Sequence, residues 1–146
     1  RYDVQVLLLT EQQVRPLRAR GELSSEKWAV VYWDDWCAVF VRRFPRFREV
    51  LERHEYRQFP PFPAPPDLKR LRLDPERLRE ARTELTRVLA RNPDSQRALY
   101  YRGLVSLHQG DLRDAKRDLE QAARIRPDAV IDRVLLEVAS RLLRKG

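Results

Sequence analysis

The chain has 146 residues, of which 42% are apolar, and a formal net charge of +8. That length allows one domain or two very small ones, and no apolar run nears the roughly 18–20 residues needed to span a bilayer. The charge is spread rather than blocked: arginines alternate with acids, as in DLRDAKRDLE, which reads as a solvated helix face with i,i+4 pairs and gives no reason to expect a nucleic-acid partner.

The chain opens RYDVQV, shows no secretory signal and contains no methionine, and so reads as a piece of a longer protein. Residues 3–9, DVQVLLL, are aliphatic enough for a buried strand. Thr10 with Gln13 matches a capping box and predicts a helix from Glu11. Pro16 disputes that start and offers itself as an alternative first helical residue, with the stop near Gly21.

The stretch EKWAVVYWDDWCAVF, residues 26–40, holds all three tryptophans around Asp34 and Asp35. An aspartate pair inside an aromatic pocket is one reading, and a tight hairpin is the other. The hairpin is preferred, because adjacent strand residues point to opposite faces and two carboxylates would converge only within a turn. A two-residue turn there pairs Trp33 with Trp36, Val31 with Ala38 and Ala29 with Phe40, and leaves both faces apolar. Asp-Asp is a weaker turn signal than Asp-Gly, so a four-residue loop on the same centre is the alternative. Cys37, the single cysteine, excludes an internal disulfide and reads as a buried structural thiol. His54 and His108 lack ligand spacing with each other or with Cys37, so no metal or cofactor is expected.

The order of an apolar strand, a short helix and then Trp28, Val30, Val31, Tyr32, Asp34, Asp35, Val39, Phe40 and Arg42 resembles the tail domain of bacterial polytopic membrane glycosyltransferases. These are the C superfamily, the protein-mannosyltransferase and oligosaccharyltransferase-like group. The segment VLERHEYRQFPPF resembles the helix and exit that follow, so the likeness covers about residues 3–62. It implies an extracytoplasmic location, on the periplasmic side of the membrane, and no catalytic residue in this chain.

Residues 59–67, FPPFPAPPD, hold five of the ten prolines and predict an extended connector over 59–70. Beyond it a period emerges. Ala81, Leu85, Leu89 and Pro93 recur 34 residues later as Ala115, Leu119, Ala123 and Pro127. That is the tetratricopeptide period, and the chain resembles that family, with signature positions at Leu99, Gly103, Gly110, Leu112, Ala115, Leu119, Ala122 and Pro127. Arg102 stands where a leucine is usual, and Ser106 where an aromatic is usual. One complete helix pair is predicted at 96–126, preceded by a helix at 75–91 and closed by one at 129–144. So short an array is expected either to dock on the first half or to present its closing helix to a partner. By the resemblance, the first helix of a repeat lines the concave binding face. That points to Arg97, Tyr100, Tyr101, Leu104 and His108 as peptide-binding residues, with simple packing of Tyr100, Tyr101 and Leu104 as the alternative.

The expected architecture is α+β. A small α/β piece over 1–58 (strand, helix, β-hairpin, trailing helix) and the connector precede a tetratricopeptide-like helical array over 71–146. The expected function is a non-catalytic protein–protein interaction module in the soluble part of a larger membrane protein. Its alternative is an accessory extracytoplasmic domain of a membrane glycosyltransferase that helps position acceptor. A free-standing enzyme using Asp34, Asp35 or His54 is disfavoured, since no nucleophile–base grouping or phosphate loop accompanies them.

Overall fold

The computed structural model describes residues 3–58, Phe62 and 74–145, and the chain divides into two units, Arg1–Pro66 and Asp67–Gly146. The connector expected at 59–70 therefore lies outside the described residues, apart from Phe62. The first unit runs β1 (Val6–Thr10), α1 (Glu11–Ala19), β2 (Trp28–Trp33), β3 (Cys37–Arg42), a short 3-10 turn at Pro45–Phe47 and α2 (Arg48–His54). Its sheet is antiparallel throughout, in the order β1-β3-β2.

Expectation and structure part at β1. The strand starts at Val6 rather than residue 3, and it is an edge strand. Leu7 pairs with Phe40 and Leu9 with Ala38 on the covered face. Val6 and Leu8, pointing the other way, are 51% and 67% exposed. A strand covered on one face alternates in this way, and a run of consecutive aliphatics conceals it. β2, by contrast, is buried on both faces as expected, with five of its six residues buried. Its outer edge is closed by Tyr56, whose N–H donates to the Val30 carbonyl at 2.8 Å. The Tyr56 ring meets Trp33 edge-on at 6.4 Å.

α1 begins at Glu11, as its cap predicts. The Thr10 N–H donates to Gln13 Oε1 at 2.9 Å, and Pro16 lies inside the helix. The proline removes one bond, to the carbonyl of Gln12, an exposed residue where water can take its place. Gly21, with φ of 72°, ends the helix.

The hairpin forms, but its register differs from the expected one. Trp33 pairs with Ala38, Tyr32 with Val39 and Val30 with Phe40, so Val31 is an extra residue in a bulge. The Asp34 N–H bonds the Cys37 carbonyl at 3.0 Å, which makes Asp35 and Trp36 the central turn residues. Neither has positive φ, so this is not the mirror-image turn whose twist matches a hairpin. The bulge supplies local twist instead. It also moves Trp28 and Val30 onto the face of Trp33, and it leaves Trp36 at the turn, 75% exposed.

The second unit is helical: α3 (Pro75–Arg91), α4 (Gln96–Gln109), α5 (Leu112–Ile125) and α6 (Ala129–Lys145). Each starts on a polar cap. Asp74 accepts from the Glu76 and Arg77 N–H groups, Ser95 from Ala98, Asp111 from Asp114, and Asp128 from Val130. Gly110, at φ of 80°, turns α4 into α5. Gly103 lets those two helices approach: a Cβ there would lie 2.7 Å from Leu119 Cγ. Arg82 of α3 clamps the same turn, reaching Gln109 Oε1 at 3.1 Å, Asp111 at 3.3 Å, and Asp114.

Candidate functional site

The five predicted residues, at spacings 97, 100, 101, 104 and 108, fall on one stripe of α4. The helix beneath them is held firmly. Ser95 caps its start, and Gln96 Nε2 donates to the Ala122 carbonyl at 3.0 Å and to that of Arg126, tying the beginning of α4 to the end of α5. Along the stripe the structure separates two classes. Tyr101 and Leu104 are buried, at 7% each. Arg97, Tyr100 and His108 are half-buried. The Tyr100 and Tyr101 rings lie 5.6 Å apart and tilted by 45°, so the half-open ring rests on the closed one. Burial, and then the negative charge of Asp128, push the Tyr100 hydroxyl above its ordinary value, so it stays a neutral donor. The stripe thus offers a guanidinium fork, a phenol and an imidazole above an apolar floor. It is suited to holding a carboxylate beside an apolar group.

An ion pair with the facing helix explains the main departure from the repeat pattern. Arg102 stands in place of a leucine, and its guanidinium grips the carboxylate of Asp118 on α5, Nε to Oδ2 at 2.6 Å and Nη2 to Oδ1 at 3.0 Å. Asp118 is 1% exposed. A two-point fork of this kind is among the stronger hydrogen-bonded pairs. The signal was present: a charged residue at an apolar repeat position calls for an opposite charge on the facing helix. Ser106, the other departure, is fully buried with its hydroxyl unpartnered.

In the first unit the aspartate turn is structural. Asp34 Oδ1 accepts from the Trp36 and Cys37 N–H groups at 2.8 Å each, and Oδ2 accepts from the Tyr32 hydroxyl at 2.8 Å. Burial alone would raise the Asp34 carboxyl, but these donors outweigh it and hold it below the usual range. Tyr32 is pushed up to about 12, first by that hydrogen bond and then by burial. Burial, then the Asp34 charge, raises the Cys37 thiol, so it is a poor nucleophile. A cleft of about 640 Å³ opens beside β2, with Trp28, Phe40 and Tyr56 in its walls. Among the described residues of its lining the acid is Glu55, bound by Arg43 through both oxygens and by Arg57 at 3.2 Å. Burial would raise that carboxyl, and the arginines more than reverse it. An acid so held is no proton acceptor. Among the described residues, no three His, Cys, Asp or Glu side chains gather as a metal would require. No described helix is long and apolar enough to cross a membrane.

The chain matches no curated protein and no solved structure. The family model described as "Tetratricopeptide repeat" matches residues 70–130. That span takes in α3, the capped α4–α5 pair closed over Gly103, and the start of α6. Over residues 70–130 the chain is similar to tetratricopeptide repeats.

Proposed function

We propose that this protein is a protein-interaction module whose second unit binds a partner's peptide segment on the α4 stripe. The observation that carries the reading is the arrangement on the first helix of the one complete repeat: Arg97, Tyr100 and His108 stand half-open above the closed Tyr101 and Leu104. The fork of Arg97 suits a chain-terminal or side-chain carboxylate, and Tyr100 adds apolar area with a polar tip. Panning a displayed random-peptide library on the full chain tests it. Enriched peptides are expected to carry an acidic group beside an apolar residue. Truncating one anchor typically costs about 2 kcal/mol, so Arg97→Ala with Tyr100→Ala should weaken the selected peptide by roughly 30-fold or more. Arg141→Ala with Arg144→Ala, exposed on α6, should leave it unchanged. Tyr101 is a poorer probe, because truncating a buried side chain disturbs the fold as well. Binding that ignores the α4 variants and collapses steeply with salt overturns the reading in favour of bulk charge.

Attachment of this module to a membrane glycosyltransferase outside the cytoplasm is a finer proposal, carried by the likeness at residues 3–62 alone. Hydrophobic spans upstream of Arg1 in the parent reading frame would support it, and a parent without them would remove it.

A further inference from the structure

One stretch of the sheet unit breaks the alternation of arginines with acids. Residues 42–48, RRFPRFR, hold four arginines and no acid. The three acids between there and Arg57 are each taken by another arginine: Glu49 by Arg53 at 2.8 Å, Glu52 by Arg48 at 3.0 Å, and Glu55 by Arg43 and Arg57. Among the described residues, no acid pairs with Arg42 or Arg46.

Aromatic rings hold these two guanidiniums instead. Arg42 pairs with Trp28 across β3 and β2, which puts both side chains on one face of the sheet. Its guanidinium carbon lies 5.1 Å from the Trp28 ring centre. The Phe44 N–H then donates to the Arg42 carbonyl at 2.8 Å, and the Phe47 N–H to the Phe44 carbonyl at 2.9 Å. The chain so folded sets the Arg42 guanidinium 5.7 Å from the Phe44 ring centre. Arg46 lies 5.4 Å from the same ring and 5.2 Å from that of Phe47. A stacked guanidinium has lost its swing but keeps its donors, so less freedom remains to be lost when an anion binds. Arg42 Nε is buried and meets no acceptor among the described residues, so stacking rather than hydrogen bonding holds that side chain. Arg46 is exposed.

Phe44 also lines a hollow of about 380 Å³, with Pro45 and Leu51 as its apolar wall. That volume suits a small ligand. The charge of the pair selects its chemistry. One guanidinium fork satisfies a carboxylate, whereas a phosphate monoester carries nearly two charges and three acceptor oxygens, enough for two arginines. Nucleobases fit poorly, because the rings that would stack them already carry guanidiniums and Trp28 is 7% exposed.

We infer that Arg42 and Arg46 bind the phosphate of a small phosphate monoester whose apolar body enters the hollow beside Phe44. The site shares no residue with the α4 stripe, so either can fail without the other.

The test titrates the full chain with phenyl phosphate by calorimetry, with benzoate as the singly charged analogue and inorganic phosphate as the analogue without a body. Phenyl phosphate should bind roughly tenfold tighter than either. It should also shift the Nε–H signals of Arg42 and Arg46 in proton–nitrogen NMR spectra. Arg46→Gln, at an exposed position, should weaken binding roughly tenfold with the thermal melt unchanged. Arg42→Lys, which keeps the charge and loses the fork, should weaken it as well. Arg141→Gln with Arg144→Gln removes more charge from α6 and should change nothing. The proposal is overturned if phenyl phosphate gives no heat at millimolar concentration, or if either analogue binds equally well. It is also overturned if Arg46→Gln leaves the affinity intact, or if the α6 variant weakens it as much, which would mark bulk charge. A single-stranded oligothymidylate that displaces phenyl phosphate with a steep salt dependence would assign the arginines to a nucleic-acid backbone instead.

Discussion

The two units are specified at different ranges along the chain. In the second, each helix carries its own start signal, at Asp74, Ser95, Asp111 and Asp128, and packs mainly on its neighbours in sequence. In the first, β1 pairs with β3 across α1 and β2, and the hairpin register turns on one bulged residue, Val31. Local signals repeated at a fixed period can be read from sequence, whereas non-local pairings are decided by which faces end up covered. The contrast also bears on function. The periodic unit can spare side chains at its variable positions for recognition, while the sheet unit spends Asp34 and Tyr32 on holding a turn.

The largest effect expected is in the periodic unit, where a local pattern is broken and then mended by a distant residue. Asp118→Ala leaves the largely buried Arg102 without its carboxylate and should cost about 3 kcal/mol, read from chemical denaturation. Replacing both Arg102 and Asp118 with leucine, which returns the usual residue to position 102, should bring stability back to within about 1 kcal/mol of the parent. If Asp118→Ala is harmless, the pair does not account for the departure.

A smaller loss is expected at the sheet unit's turn. Asp34→Ala removes the acceptor of four hydrogen bonds, the weakest from the Cys37 thiol at 3.8 Å, and should cost about 2 kcal/mol. The same change should return Tyr32 from about 12 toward its ordinary 10.0 in an ultraviolet titration. The pH signs follow. Asp34 is depressed in the folded state, so its stabilisation is complete above the ordinary 3.8 and fades as pH falls through its lower folded value. Tyr32 is raised, so its contribution is complete below 10.0 and is lost between there and about 12. Because Asp35 holds the first central position of the turn without positive φ, Asp35→Gly should be neutral or mildly costly rather than stabilising.

Much of the second unit was legible, down to the helices at 75–91 and 96–126, because capping residues, small residues and prolines recur where the geometry needs them. What escaped was pairwise. Arg102 departs from the repeat pattern, and only the fold brings Asp118 to face it. The candidate stripe was legible as a stripe, but the closure of Tyr101 and Leu104 was not, since spacing places a side chain on a face without saying what covers it. In the first unit the hairpin and the capped start of α1 could be read. The edge position of β1 and the bulge could not, because a bulge that corrects the twist of a turn leaves no residue signature.

Ser106 sits in the periodic unit with a buried, unpartnered hydroxyl. Ser106→Ala removes that group and favours the helix, so it should stabilise the protein by roughly 0.5–1 kcal/mol. A loss of stability would mean the hydroxyl has a partner.

Under the proposed function, a bound peptide lies along α4. Hydrogen–deuterium exchange on the full chain, with and without a peptide selected by panning, tests it most directly. The peptide is expected to slow exchange within Gln96–Gln109 and to leave Val6–Thr10 and Cys37–Arg42 as they were. Protection confined to the sheet unit, with α4 unaffected, would contradict it.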